Sequence, residues 1–155
     1  MSLIDESQSD QDTPSLARQW IAAFNAHDVE AIVALYHQDA ELNDAGMKYP
    51  RRGKQAIRTW FEQRFSSMPT ITYTPNEYLY TSETRAVVAW TTHGQSPAPR
   101  GSRWLRWLSR PFQVDGVSVF ILSDGLIARQ RGYYDHLTVV QQIVPMLRWL
   151  LPVRF

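Results

Sequence analysis

An aspartate at the end of a short predicted strand is the residue in this sequence most suggestive of chemistry. The run Leu35–Asp44 is typical of a helix end, a tight turn and then a strand. Side chains alternate along a strand, so Asp44 falls on the same side as Ala40 and Leu42, which is the apolar side. The carboxylate is a general base if that side faces a cavity. It is a turn residue if the chain already bends at Ala45–Gly46.

Three further residues are candidates for catalytic support. Asp135 follows the last predicted strand, where it is either an acid/base at a cavity mouth or the N-cap of a C-terminal helix. Arg131 lies on the same strand face; it supplies a fixed positive charge if that face points inward and is an exposed side chain otherwise. His93 ends another strand face and is either polar support or a hydrogen-bonded core or rim residue.

The aromatic content is high, with six Trp, seven Tyr and six Phe. Such a load exceeds what a small core needs and suits a cavity wall or an interface, although regularly spaced aromatics also form ordinary core. The candidates for contact with a flat hydrophobic ligand are Tyr36, Trp60, Tyr78, Tyr80, Trp90, Phe120 and Tyr133.

Composition excludes several other kinds of site. The 155 residues contain no cysteine, which rules out disulfides, thiolate catalysis and cysteine-based zinc sites. There is no nucleophile elbow, no glycine-rich phosphate loop and no histidine pair at metal-ligand spacing. Because cysteines and such histidine pairs are missing, we do not expect a bound metal. The sequence shows neither a secretory signal nor an 18-residue apolar run, so a cytoplasmic protein is the default expectation.

The order of elements predicts one α+β domain. Residues 1–12 are polar and acidic and form a predicted disordered tail; residues 13–155 form the domain. Helices are predicted to start at Thr13–Pro14, Asp28 and Gly53, with a short strand ending at Asp44 between the second and third helices. An antiparallel meander of four strands follows, with a hairpin at Asp124–Gly125, and Asp135 precedes a last helix. Helices grouped before such a sheet favour a curved sheet with a hollow between the layers.

Several segments together resemble the nuclear transport factor 2-like superfamily, and within it the SnoaL-like polyketide cyclases. The resemblance spans about residues 14–142 and is carried by Trp20–Asp28, Leu35–Ala40, Gly53–Ile57, Asp124–Ile127 and Tyr133–Asp135. It implies a cone-shaped, curved, mainly antiparallel mixed sheet, with three N-terminal helices packed on its concave face and a C-terminal helix. A homodimer formed by paired sheets is also implied.

Two branches of the superfamily imply different site residues. In the ketosteroid isomerases the general base matches Asp44, and the two groups that bind the oxyanion fall at Trp20 and near Ser118. Both are weaker donors than the tyrosine and protonated aspartate of those enzymes. In the SnoaL-like cyclases the acid/base matches Asp135, and no metal or cofactor is used. The resemblance therefore implies a cofactor-free isomerase or cyclase for a hydrophobic carbonyl compound; the alternative is a non-catalytic ligand-binding or dimerisation domain.

A basic and aromatic segment, Arg100–Arg110, has no place in this scheme. Its arginines alternate with two Trp and two Leu. In one interpretation it packs on the apolar C-terminal residues, Met146–Phe155, or across a dimer. In another it lies on an anionic membrane surface. Nucleic-acid binding by stacking and charge is a third reading, which we do not expect.

Overall fold

The structure is a computed structural model that describes residues 15–96 and 110–143; for Tyr80 and Thr81 it describes only the backbone. The helices are α1 Leu16–Asn25, α2 Val29–Ala34, α3 Lys54–Ser67 and α4 His136–Ile143. The strands are β1 Tyr36–Asp44, β2 Arg51–Arg52, β3 Thr72–Thr81, β4 Arg85–Gln95, β5 Pro111–Ser123 and β6 Leu126–Tyr134.

The strands form one mixed sheet in the order β2-β1-β6-β5-β4-β3. Only β1 and β6 pair in parallel; every other pair is antiparallel. The predicted α+β class and the four-stranded meander are therefore confirmed, and the sheet with its packed helices is consistent with the implied cone. The short β2 pairs with the Glu41–Leu42 part of β1.

Local signals set most element boundaries. Asp28 caps α2, because its side chain accepts a hydrogen bond from the Ala31 N–H at 2.9 Å. Gly53 precedes α3 with a φ of 79°, which glycine adopts without strain. Asp124 and Gly125 both have positive φ, as the tight β5–β6 hairpin requires. A register shift between Pro75 and Glu77 marks a bulge in β3.

The core lies between the helices and one face of the sheet, and its centre is aromatic. Trp20 and Phe24 of α1 stack with ring centroids 5.2 Å apart. Phe24 lies 4.2 Å from the Tyr73 ring on β3, and Trp20 lies 5.6 Å from Phe120 on β5. All four side chains are buried. Burial of this aromatic surface is the main force that holds the helices on the sheet.

The structure settles two details that the sequence pattern left imprecise. The helix end and turn expected from Leu35 onward are short, because Tyr36 already begins β1. Of the two alternatives for Arg131, the structure shows the exposed one, because a bulge interrupts the alternation of β6. Ile121 pairs with Arg129 while Leu122 pairs with Ile127, so Ala128 is the extra residue.

Some predictions lie outside the described residues. These are the Thr13–Pro14 helix start, the continuation of the last helix after Ile143, and the Arg100–Arg110 segment except for Arg110 itself. Within residues 15–96 and 110–143, no helix is long and apolar enough to cross a membrane.

Candidate active site

A cavity of about 280 Å³ opens between α3, the sheet and α4. Its wall is mostly apolar and aromatic, with a few polar groups, as in small-molecule sites. The lining residues are Asp44, Gly46, Met47, Trp60, Arg64, Met68, Tyr73, Trp90, Thr92, Phe112, Val114, Tyr134, His136, Val139 and Ile143.

Asp44 reaches the cavity because β1 ends beside β6. It pairs in parallel register with Gly132. A Cβ atom at Gly132 would overlap the Asp44 carboxylate, so the absence of a side chain there makes room for it. One carboxylate oxygen, Oδ1, accepts a hydrogen bond from the Ala45 N–H at 3.0 Å. The other faces Arg64, with Oδ2 3.7 Å from Nη1.

Burial dominates the electrostatics of Asp44. Its side chain is 10% exposed. Loss of hydration raises its pKa above the usual value for aspartate, while the Arg64 guanidinium, the Ala45 N–H and His136 act in the opposite direction. The net effect is a raised pKa. A carboxylate in this state is a stronger base than a hydrated one and remains inside an apolar cavity.

Arg64 is the second charged group of the site, and it comes from the apolar stripe of α3. Its neighbours on that stripe, Ile57 and Phe61, are fully buried, and the Arg64 side chain is only 14% exposed. Its guanidinium carbon lies 4.8 Å from the centre of the Trp60 ring, in cation–π geometry. Its Nη2 lies 3.4 Å from the Tyr73 hydroxyl oxygen.

Two tyrosine hydroxyls complete the polar part of the wall. Burial raises the pKa of Tyr73 and also that of Tyr134, so both phenols remain protonated at neutral pH and can donate hydrogen bonds. The Gly46 N–H and the Arg64 guanidinium act to lower the pKa of Tyr134, but burial outweighs them. The exposed His136 ring lies beside Gly46, at the mouth of the cavity.

The structure brings three of the sequence candidates together at the cavity: Asp44, Trp60 and Trp90. The other candidates for catalysis lie elsewhere. Asp135 is exposed and caps α4, because it accepts hydrogen bonds from Leu137 N–H at 2.9 Å and Thr138 N–H at 3.2 Å, and from the Thr138 hydroxyl. These bonds lower its pKa. His93 is exposed on the opposite face of β4 and borders a separate surface cleft.

Two more candidates lie on the outer face of the sheet. Arg131 is exposed, and Tyr133 is 54% exposed. Tyr78 is half-buried away from the cavity, with Arg18 4.4 Å above its ring centre. The side chain of Tyr80 is outside the description.

The remaining candidates belong to a solid part of the core. Trp20 donates from Nε1 to the Tyr36 hydroxyl at 3.1 Å, and Tyr36 donates in turn to Oε1 of Gln130. Ser118 accepts from Nε1 of Trp90 at 2.9 Å. Phe120 is fully buried among the rings. The groups at the two oxyanion positions, Trp20 and Ser118, are thus engaged with other core side chains.

Sequence reasoning missed Arg64, Tyr73, Tyr134 and His136. A signal was present for Arg64, since an arginine within an otherwise apolar helical stripe is a charge carried into the interior. No comparable signal marks Tyr134, because the bulge at Ala128 decides which of Tyr133 and Tyr134 points inward.

The described residues contain no group of three or more His, Asp and Glu side chains placed to hold a metal ion. The polar side chains at the cavity are one carboxylate, one guanidinium, the His136 imidazole at its mouth and neutral hydroxyls. They can remove a proton and stabilise negative charge on oxygen.

Similarities to known proteins agree with the fold. The SnoaL-like domain family matches residues 17–130, well over half of the chain. No curated protein matches significantly in sequence.

Among solved structures, a protein of ketosteroid isomerase-like fold from Catenulispora acidiphila, crystallised with trimethylamine, is 18% identical. It has a TM-score of 0.69, and the match covers 84% of this chain and 92% of that one. A proposed polyketide cyclase from Pseudomonas putida is 24% identical, with a TM-score of 0.67 and coverage of 82% and 94%.

A proposed SnoaL-like polyketide cyclase from Shewanella denitrificans is 16% identical, with a TM-score of 0.70 and coverage of 83% and 93%. Likeness at these identities shows a shared fold. Together with the family match, it establishes that this chain belongs to the SnoaL-like family of the nuclear transport factor 2-like superfamily.

Proposed function

We propose that this protein is an acid/base enzyme, an isomerase or a cyclase, that acts on a small hydrophobic carbonyl compound without a cofactor. Asp44 is the general base. The observation that carries the proposal is a buried carboxylate with a raised pKa in the wall of an apolar cavity. We assign Asp135 to helix capping, since its side chain is exposed and both of its carboxylate oxygens accept hydrogen bonds from the first turn of α4.

In the proposed reaction, the Asp44 carboxylate takes a proton from the carbon next to a carbonyl group. The C–H electron pair moves into the carbonyl group, which becomes an enolate with its charge on oxygen. Where the substrate carries a C=C bond next to that carbon, the enolate is a dienolate, and return of the proton to the far carbon of the former C=C bond gives isomerisation. Attack of the enolate carbon on a second carbonyl of the same molecule forms a C–C bond, and protonated Asp44 then neutralises the new alkoxide. The Tyr73 and Tyr134 hydroxyls are donors on the same wall.

The ligand class follows from the wall of the cavity. Trp60, Trp90 and Phe112 offer flat apolar surfaces, and the volume suits a small ring system. A structural relative was crystallised with the small molecule trimethylamine, and others are proposed polyketide cyclases. These relatives support a small ligand in this fold.

The test is exchange of carbon-bound hydrogen in D₂O for a panel of hydrophobic ketones, followed by NMR. Native protein is expected to accelerate exchange at the carbon next to the carbonyl of at least one ketone that binds. Asp44→Asn should lower that rate by about 10²- to 10⁴-fold. Asp135→Asn is the matched control and should retain it. If every ketone that binds is returned without exchange, the enzymatic proposal is wrong.

A second candidate function is ligand binding without catalysis. It is favoured by the Asp44–Arg64 pair, which gives each charge a partner, and by the internal use of Trp20 and Ser118. This alternative predicts that a ketone binds equally well to native protein and to Asp44→Asn, with no exchange in either.

We also propose that two copies pair through the outer face of the sheet. That face carries Val119 between Val87 and Arg131, and the partly exposed Ile121 beside Arg129. An apolar centre with a charged rim suits a dimer interface. Sedimentation should show a dimer that Ile121→Glu converts to a monomer; a native monomer at high concentration would contradict the proposal.

A further inference from the structure

We propose that Arg64 is a further catalytic residue, whose guanidinium binds the oxygen that becomes negative when Asp44 removes the proton. The inference rests on the proposed function and adds the group that stabilises the enolate. It is carried by the geometry of the guanidinium relative to the carboxylate and to the cavity.

The guanidinium has unused hydrogen-bonding capacity. Arginine offers five N–H donors. Its closest carboxylate approach, Nη1 to Oδ2 of Asp44 at 3.7 Å, is longer than a normal hydrogen bond. Nη2 lies 3.4 Å from the Tyr73 oxygen, and the Tyr134 hydroxyl is a further polar neighbour. Nε is buried and has no hydrogen-bond partner among the described residues. A buried cation with such loose contacts has a strong preference for an additional oxygen acceptor.

The position of this cation is also fixed. The Arg64 side chain is 14% exposed, and the Trp60 ring supports its guanidinium from one side at 4.8 Å. Charge stabilisation by a fixed group in a water-poor cavity needs little reorganisation during the reaction. Arg64 and Asp44 both line the same cavity, so a substrate oxygen and the carbon beside it can contact them together.

Proton transfer changes the partner of Arg64 without changing the net charge of the site. Before transfer the negative charge is on Asp44; afterwards Asp44 is neutral and the charge is on the enolate oxygen. The guanidinium is then released from the carboxylate and pairs with the enolate. Its interaction with the substrate oxygen is therefore stronger after transfer than before it, which is the condition for an acceleration of the chemical step.

The groups at the positions implied by family resemblance do not line the cavity. Trp20 donates to Tyr36, and Ser118 accepts from Trp90, both inside the packed core. Tyr73 and Tyr134 are neutral donors near Arg64, but only Arg64 brings a full positive charge.

The test uses substituted phenols as probes, because a phenolate oxygen resembles an enolate oxygen. The background is Asp44→Asn, in which a neutral amide stands for the protonated carboxyl group. Absorption spectra at fixed pH report the ionised fraction of the bound phenol. Groups that face the probe, namely Tyr73, Tyr134 and His136, are unchanged in every variant.

We expect Asp44→Asn to bind phenols as phenolates, with affinity that rises as the phenol becomes more acidic. Addition of Arg64→Met should weaken phenolate binding at least about tenfold, whereas Arg64→Lys should retain part of it. Arg58→Met is the matched control on the same helix, because Arg58 pairs with the exposed Glu30. Equal phenolate binding with and without Arg64→Met would overturn the proposal.

A second measurement separates this inference from the proposed function. If native protein catalyses exchange and Arg64→Met catalyses it at the same rate, the role of Arg64 is refuted while Asp44 remains the base. Failure of native protein to catalyse any exchange would refute the proposed function itself. Melting temperatures identify any variant that does not fold, and Arg64→Lys then provides the comparison.

Discussion

The two ends of the interior use polar groups in opposite ways. At the closed end, Trp20, Tyr36 and Gln130 satisfy one another in a buried chain of hydrogen bonds. At the open end, Oδ2 of Asp44 and Nη1 of Arg64 lie 3.7 Å apart in the wall of the cavity. Satisfied polar groups specify one packing arrangement, whereas loosely paired groups next to a cavity leave capacity for a ligand. We therefore expect the closed end to contribute most to stability and the open end to carry the reactivity.

The largest effect on stability is expected at the closed end. Phe24→Ala removes a fully buried ring that contacts Trp20 and Tyr73, and it should lower the free energy of unfolding by about 3–5 kcal/mol. Val139→Ala at the cavity should cost clearly less, because Val139 is only partly buried. Urea denaturation measures both. Equal losses would remove the distinction between the two ends.

Gly132→Ala should affect both stability and catalysis, because Gly132 lies in the sheet against the Asp44 carboxylate. The added methyl group occupies the space of the Asp44 carboxylate. We expect overpacking to lower the free energy of unfolding by about 1–3 kcal/mol. We also expect slower catalysed exchange of carbon-bound hydrogen in ketones. Gly125→Ala is no control here, because Gly125 has a φ of 73° and would be strained by any side chain. Leu126→Ala, which changes the start of β6 away from the carboxylate and from the cavity, serves instead. Unchanged exchange in Gly132→Ala would contradict the assigned position of Asp44.

The pH dependence of stability should carry the signature of Asp44. Its pKa is raised in the folded protein, so its carboxyl group favours folding below the unfolded pKa of about 4. That contribution is lost as the pH rises through the folded pKa. The free energy of unfolding of native protein, relative to that of Asp44→Asn, should therefore fall as the pH rises over this range. An opposite slope would mean that pairing with Arg64 outweighs burial.

The smallest effect is expected at Asp135. Asp135→Ala removes the cap of α4 and should lower Tm by a few degrees without changing exchange catalysis. The cap should weaken as the pH falls, because the pKa of Asp135 is lowered in the folded state. Asp135→Asn, which retains an acceptor oxygen, is the control. A large loss of catalysis in both variants would move the acid/base role to Asp135.

The fold was largely readable from the sequence because local patterns agree with it. Asp28, Gly53 and the Asp124–Gly125 pair each satisfy a backbone requirement that few residue types meet. The alternation of Ala40, Leu42 and Asp44 also holds at the end of β1, which is why the inward carboxylate was predictable.

The rest of the site depends on tertiary arrangements without a local signal. The bulge at Ala128 exchanges the faces of β6, so Arg131 and Tyr133 point outward and Tyr134 lines the cavity. No glycine or proline marks that bulge. Arg64 shares the helical stripe of Ile57 and Phe61, but its place in the site depends on the end of β1 lying opposite α3, a contact that no local pattern predicts.

The most direct test is the pKa of the Asp44 carboxyl group in native protein, measured by NMR of the side-chain carbon across a pH titration. Asp44→Asn identifies the resonance. This account predicts a pKa above the ordinary aspartate value of about 4, with a further rise in Arg64→Met. A pKa at or below that value would show a hydrated or fully paired carboxylate and would contradict a base held inside an apolar cavity.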